Sequence, residues 1–123
     1  MIFNLLLNLW FQPPATNYCD LVSVVCETEQ PEYIKNYIKT EFDKAGLDSD
    51  RAVKIAELES RFNLDAYNIN RNGSNDMGLW QINSIHKLSD DCRTDLKCST
   101  EWAIQKVKID GNFSAWSVNK LIR

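Results

Sequence analysis

Positive charge is scarce in this chain. Fourteen Lys and Arg stand against seventeen Asp and Glu, a formal net charge of −3, so the clustered cations that phosphate backbones require are missing and nucleic acid is not an expected partner. Long apolar runs are scarce too. The most hydrophobic stretch, MIFNLLLNLWF at residues 1–11, is interrupted by Asn4 and Asn8 and is too short for a stable membrane span. Histidine occurs once, as His86, and the cysteines do not approach one another at the two-to-four-residue spacing usual for zinc ligands. No internal repeat or low-complexity tract is present.

What remains is the composition of one small globular domain. The 123 residues include thirteen aromatics, four Trp, four Tyr and five Phe, more than a disordered polar chain carries. A domain of this size buries only ~60–70% of its unfolded surface, so covalent staples are useful to it. The four cysteines form two local pairs, and in a small exported domain they read as disulfides Cys19–Cys26 and Cys92–Cys98. Buried free thiols, or a metal site completed by His86, are the alternatives. Cys19–Cys26 further requires a bend between its partners, because one continuous helix or strand would hold them too far apart.

The N-terminal apolar segment has the length of a signal-peptide core, with Ala15 as a cleavage neighbour, although no Lys or Arg precedes it. An integral part of the fold and a remnant of a longer protein are the other readings. Pro13 and Pro14 punctuate a linker-like stretch from Gln12 to Asn17. Residues 1–30 are therefore read as an N-terminal segment and linker, and 31–123 as the functional domain. After Pro31, the residues Ile34, Tyr37, Ile38, Glu41 and Phe42 recur at helical spacing, and Gly46 ends that helix. Asp48, Ser49 and Asp50 offer caps for a second helix running to about Phe62. Between Asn63 and Asn75 the chain is rich in Asn, and Asn72-Gly73 predicts a tight turn in a small β-hairpin region from about Ala66 to Gln81. A third helix is expected from near Ser99 to Gly111, carrying Trp102, Ala103 and Val107, and a short last one from Ala115 to Leu121. The fold class is α+β, mainly helical.

On a helical wheel at ~100° per residue, Glu59 shares an apolar arc with Ala52, Ile55, Ala56, Leu58 and Phe62, whereas Lys54, Glu57 and Arg61 lie opposite. A carboxylate in an apolar stripe escapes the cost of burial by keeping its proton, which is the state a general acid needs. The bland reading is an ordinary exposed or paired helix residue. Asp76 follows seventeen positions later, just past the turn, where a hairpin can return a second carboxylate toward the first. Two carboxyl groups flanking a bond are the usual machinery of glycoside cleavage. Trp80 and Trp116 serve either as apolar walls for sugar faces or as core aromatics.

The segment ESRFNLDAYNINRNGSNDMGLWQINS, Glu59 to Ser84, resembles the lysozyme and lytic transglycosylase superfamily. The likeness combines Glu-Ser-x-Phe-Asn, Ala-x-Asn-x-Asn, Gly-Ser-x-Asp-x-Gly and Gln-Ile-Asn-Ser in one register. A second block, Asp110-Gly-Asn-Phe-Ser-Ala-Trp116, is similar to the family's later cleft segment. The resemblance covers roughly residues 50–120. It implies a lysozyme-like fold with its small β-region beside a cleft, with Glu59 as the general acid and Asp76 as the second carboxylate. It also implies that Gln81 and Asn83 line the cleft, Asn83 bonding a sugar, and that Ala115 and Trp116 receive an N-acetyl group. Ser60 would help position the acid, and Asn70 would lie near the second carboxylate.

Animal lysozymes carry eight cysteines and this chain four. Gly-Leu-Trp-Gln-Ile-Asn is closer to the Gly-Leu-Met-Gln-Ile-Asn of small bacterial transglycosylases, whereas Ser-Ala-Trp replaces the Ala-Tyr-Asn ending of many of them. The implied activity is cleavage of the β-1,4 bond between N-acetylmuramic acid and N-acetylglucosamine in peptidoglycan, with 1,6-anhydro products from a transglycosylase or hydrolysis by a lysozyme. A non-catalytic saccharide-binding relative of the same fold is a second class of reading, and a calcium-stabilised domain using Asp90, Asp91 and Asp95 a third. No metal or organic cofactor is implied. The expected partner is the glycan strand of peptidoglycan, met by a monomer or by part of a larger wall-associated protein. The expected location is secreted, periplasmic or cell envelope. Asn72-Gly-Ser and Asn112-Phe-Ser fit the glycosylation acceptor pattern, and a glycan at Asn72 would crowd the cleft rim, which favours a bacterial or phage origin.

Overall fold

A computed structural model describes residues 23–123, with side-chain environments from residue 30 onward. Residues Tyr33–Arg123 form one compact unit. The expected Cys19–Cys26 bridge and the apolar N-terminal segment lie outside the described residues.

Helix α1 spans Ser23–Lys44. The sequence places its start at Pro31, a residue suited to a first helical turn. In the structure Pro31 is interior to the helix, so the backbone stays helical upstream of it and does without the one N–H bond that proline cannot make. Ile34, Ile38 and Phe42 recur every fourth residue and are all buried, which is the apolar stripe that fixes the helix on the core. Gly46, at φ +74°, then supplies the left-handed residue that turns the chain.

Helix α2, Ser49–Ser60, starts on Asp48, whose side chain accepts from the Arg51 N–H at 3.0 Å. Its inner face is Ala52, Ile55 and Ala56, all fully buried. Lys39 on α1 donates to Ser49 Oγ at 3.1 Å and to Asp50 Oδ1 at 3.2 Å, joining the two helices at their ends. Leu58 is 40% exposed, so it lies outside the apolar arc assigned to it by the wheel. The helix also stops short of Phe62: Arg61 and Phe62 both have positive φ, 53° and 62°, and the chain reverses there rather than continuing the wheel.

A three-stranded antiparallel sheet follows, β1 Tyr67–Ile69, β2 Asn75–Met77 and β3 Ile82–Asn83. The expected hairpin is β1–β2, with Asn72-Gly73 inside a connection of residues 70–74 rather than forming a two-residue turn. The third strand goes beyond that expectation and pairs Asp76 with Asn83. After a 3₁₀ turn at Ser84–His86 come the short helix α3, Asp90–Arg93, and the longer α4, Leu96–Asp110. Helix α4 begins three residues before the expected Ser99 because Asp95 caps it, accepting from the Cys98 N–H at 2.7 Å. Cys92 and Cys98 form a disulfide, Cα–Cα 5.1 Å, that ties α3 to α4. The last element is a 3₁₀ helix at Ser117–Leu121.

The core collects these faces around Trp80, which is fully buried against Phe42 and Trp116, with ring centroids at 5.6 and 5.7 Å. Its indole N–H donates to Thr100 Oγ1 at 3.1 Å, and Trp116 donates to the Trp80 carbonyl at 2.8 Å. Trp80 is therefore a core residue, and the sugar-wall reading of its ring is overturned by complete burial. Among the described residues, no helix is long and apolar enough to cross a membrane.

Candidate active site

The end of α2, the sheet and the segment after α4 enclose a cleft of about 250 Å³. Glu59, Asp76, Gln81, Asn83, Ala115 and Trp116 all line it. Ser60 and Asn70 do not, but both touch its frame. Ser60 Oγ donates to the Leu79 carbonyl at 2.8 Å, fastening the end of α2 to the loop before β3. Asn70 Nδ2 donates to Asp76 Oδ2 at 3.2 Å.

The two carboxyl groups sit in different surroundings. Asp76 on β2 accepts from Asn70 and also from Asn83 Nδ2, at 2.8 Å, so each of its oxygens has an amide donor. Glu59, in the last turn of α2, is half-buried, and its pKa is raised to about 7. Burial is the larger cause, since a desolvated carboxylate is costly, and the negative charge of Asp76 is the second. The arrangement thus holds one protonatable acid and one hydrogen-bonded carboxylate in one cleft. An acid that keeps its proton near neutrality beside a second carboxyl group is the pairing glycoside cleavage uses.

Two cleft residues are more occupied than the sequence suggests. Asn83, expected to bond a sugar, already donates to Asp76 and to Ser74 Oγ at 3.2 Å, and its side-chain Oδ1 caps the 3₁₀ turn by accepting from the Ile85 N–H at 2.9 Å. Gln81, at φ 48°, donates to the carbonyls of Gly78 and Ala66 and accepts from Asn68. Both side chains brace the sheet around Asp76.

The cleft also holds two residues that no sequence pattern placed there, His86 and Trp102, their rings 4.9 Å apart. Burial, and then the charge of Lys106, lower the His86 pKa, against an opposing pull from Asp110. The missed signal was Trp102 on α4, which the sequence pattern placed on a helix without marking it as a cleft residue. The three aspartates weighed as calcium ligands have other tasks: Asp90 pairs with Arg93 at 2.9 Å, Asp95 caps α4, and Asp91 is exposed. Among the described residues, no cluster of His, Cys, Asp or Glu is arranged to hold a metal ion.

The transglycosylase SLT domain family matches residues 36–105, more than half of the chain. The chain belongs to that family. The chain is also similar to Protein IpgF of Shigella flexneri, 49% identical over 49 residues that cover 37% of this chain and 32% of that protein. Protein IpgF of Shigella sonnei gives the same identity and coverage. The matched region spans about a third of the length of these curated relatives. Among solved structures, canine milk lysozyme in its apo form superposes with a TM-score of 0.55 at 26% identity, covering 72% of this chain and 85% of the lysozyme. Lysozyme from Equus asinus gives 0.54 at 27% identity, with the same coverage. The SLT domain is thus lysozyme-like in fold, a domain of enzymes that act on peptidoglycan.

Proposed function

We propose that this SLT domain cleaves the β-1,4 bond between N-acetylmuramic acid and N-acetylglucosamine as a lytic transglycosylase. The observation that carries this reading is Glu59, a carboxyl with a pKa raised to about 7 in a cleft it shares with Asp76. At neutral pH a large fraction of that group keeps its proton, and a positioned general acid contributes about 10²–10⁴ in rate. Glu59 donates that proton to the leaving glycosidic oxygen. It then takes one back from the 6-hydroxyl of the same muramic acid, whose oxygen attacks the anomeric carbon and closes the 1,6-anhydro ring. The proton balance closes on Glu59, and no water is consumed.

In this reading Ala115 and Trp116 receive the N-acetyl group, while Asn83, Gln81, Asn70 and Ser60 hold the two carboxylates and the sheet in place. The cleft acts on glycan strands outside the cytoplasm, in the periplasm or cell envelope. The Cys92–Cys98 disulfide supports that location, since such bonds persist in oxidising compartments.

A second reading, hydrolysis, is favoured by Asp76 itself. A carboxylate held by two amides is suited to stabilise or capture the sugar cation while water completes the reaction. Digestion of purified sacculi followed by mass spectrometry of the released muropeptides separates the two, because an anhydro product is one water lighter. Hydrated products would assign hydrolysis. Binding to sacculi without release of any fragment would assign a non-catalytic saccharide-binding domain.

A further inference from the structure

Arg93 does not line the cleft, yet it is bonded to both strands that carry the Asp76–Asn83 pair. It is only 3% exposed. One guanidinium nitrogen, Nη1, donates to Asn75 Oδ1 at 2.9 Å and to the Ile82 carbonyl at 3.0 Å, with the Asn75 carbonyl at 3.4 Å. Asn75 immediately precedes Asp76 on β2, and Ile82 immediately precedes Asn83 on β3. We propose that Arg93 is a positioning residue for the acid pair, bridging β2 and β3 beside Asp76 and Asn83 so that Asp76 is held at a fixed place relative to Glu59. The proposal rests on the reading of Glu59 and Asp76 as the working pair.

The arginine is itself anchored at both ends. Nη2 donates to Asp90 Oδ1 at 2.9 Å. Its backbone is pressed against Gly78, where φ is +84° and a Cβ would overlap the Arg93 carbonyl oxygen. The adjacent Cys92 is bonded to Cys98, which joins this turn to α4. A buried guanidinium is expensive to desolvate and gives little net stability over an apolar side chain of similar volume. What it offers instead is geometry: a planar fork reaching several acceptors at once, which the single ammonium of lysine does not reproduce.

Glu59 can report on this bridge. Among the described residues, the charged group acting on Glu59 is Asp76, whereas Lys106 and Asp110 act on His86. Moving Asp76 therefore changes the proton affinity of Glu59, and a role confined to stability does not.

The test is a carboxyl-carbon NMR titration of Glu59 in the full 123-residue chain, comparing wild type with Asp76→Asn, Arg93→Lys, Arg93→Met and Asp90→Ala. The last alters an exposed side chain and so probes the same anchor should the buried variants fail to fold. Asp76→Asn sets the full displacement of the Glu59 midpoint toward lower pH. The Arg93 variants, or Asp90→Ala, are expected to move it in the same direction by part of that amount. They are also expected to cut kcat on sacculi tenfold or more with a smaller change in KM. An unmoved Glu59 midpoint in variants that merely melt earlier overturns the positioning role while leaving the acid pair intact. An unmoved midpoint in Asp76→Asn overturns the pair itself, and the bridge with it.

Discussion

Glu59 and Asp76 reach one cleft from different elements, a helix end and a strand, and the charge on Asp76 adds to burial in raising the Glu59 pKa to about 7. The acid is thus tuned partly by its own partner. Burial supplies the larger part of that shift and the coupling to Asp76 the smaller.

Glu59→Gln is expected to lower the lytic rate by about 10²–10⁴ while leaving the fold intact, measured as turbidity loss of sacculi beside circular dichroism. Retention of full activity would remove Glu59 from the mechanism.

The same substitution should change the pH dependence of stability. Below pH 4.5 Glu59 is protonated both folded and unfolded. Between pH 4.5 and about 7 the unfolded chain releases this proton while the folded one retains it, so the contribution of this group to stability falls as pH rises, then levels off. Discounted for the half-exposed position, the loss is about 1–2 kcal/mol. Urea melts at pH 4 and pH 8 should show this component in wild type and lack it in Glu59→Gln.

Activity should fall on the alkaline side of about pH 7 as Glu59 loses its proton. Asp76→Asn should move that limb to lower pH. Because burial is the larger cause, the movement is expected to be less than half of the total displacement of Glu59. A kcat/KM profile of any residual activity, which reports the free enzyme, is the measurement, and an unchanged limb would contradict the electrostatic coupling.

Thr100→Val keeps shape but strands the buried indole N–H of Trp80. An unsatisfied buried donor costs about 1–3 kcal/mol, so the variant should melt earlier with near-normal cleft chemistry. Equal stability of wild type and variant in chemical denaturation would show that this hydrogen bond contributes nothing.

Replacing both Cys92 and Cys98 by Ser opens a short loop, with a sequence separation of 6. Loop-closure entropy places the loss at about 2 kcal/mol, readable as a lower denaturant midpoint. No difference in midpoint between wild type and the double variant would refute a stabilising role for this bridge.

Much of this was legible in the chain because it is local. Asp48 as a cap, Gly46 as a stop and the placement of Glu59 beside Ala52, Ile55 and Ala56 depend on neighbours within a few turns. Pro31 misled because proline is common at helix starts and rarer inside them. Leu58 misled because a wheel does not know that the chain reverses at Arg61 and Phe62. The third strand, the capture of Asn83 by Asp76 and the arrival of His86 and Trp102 at one wall all depend on contacts between distant residues, for which periodicity carries no signal. Arg93 was invisible for the same reason: its partners lie 11 and 18 positions away in sequence.

The ring pair at the cleft wall gives the protein an optical gauge of its own. Trp80 is fully buried and Trp116, although it lines the cleft, is only 5% exposed, whereas Trp102 is part-exposed beside His86. Among these three indoles, the emission colour and quenching of Trp102 are the most responsive to whatever fills the groove. A saccharide settling there would announce itself in the fluorescence spectrum before any bond is broken.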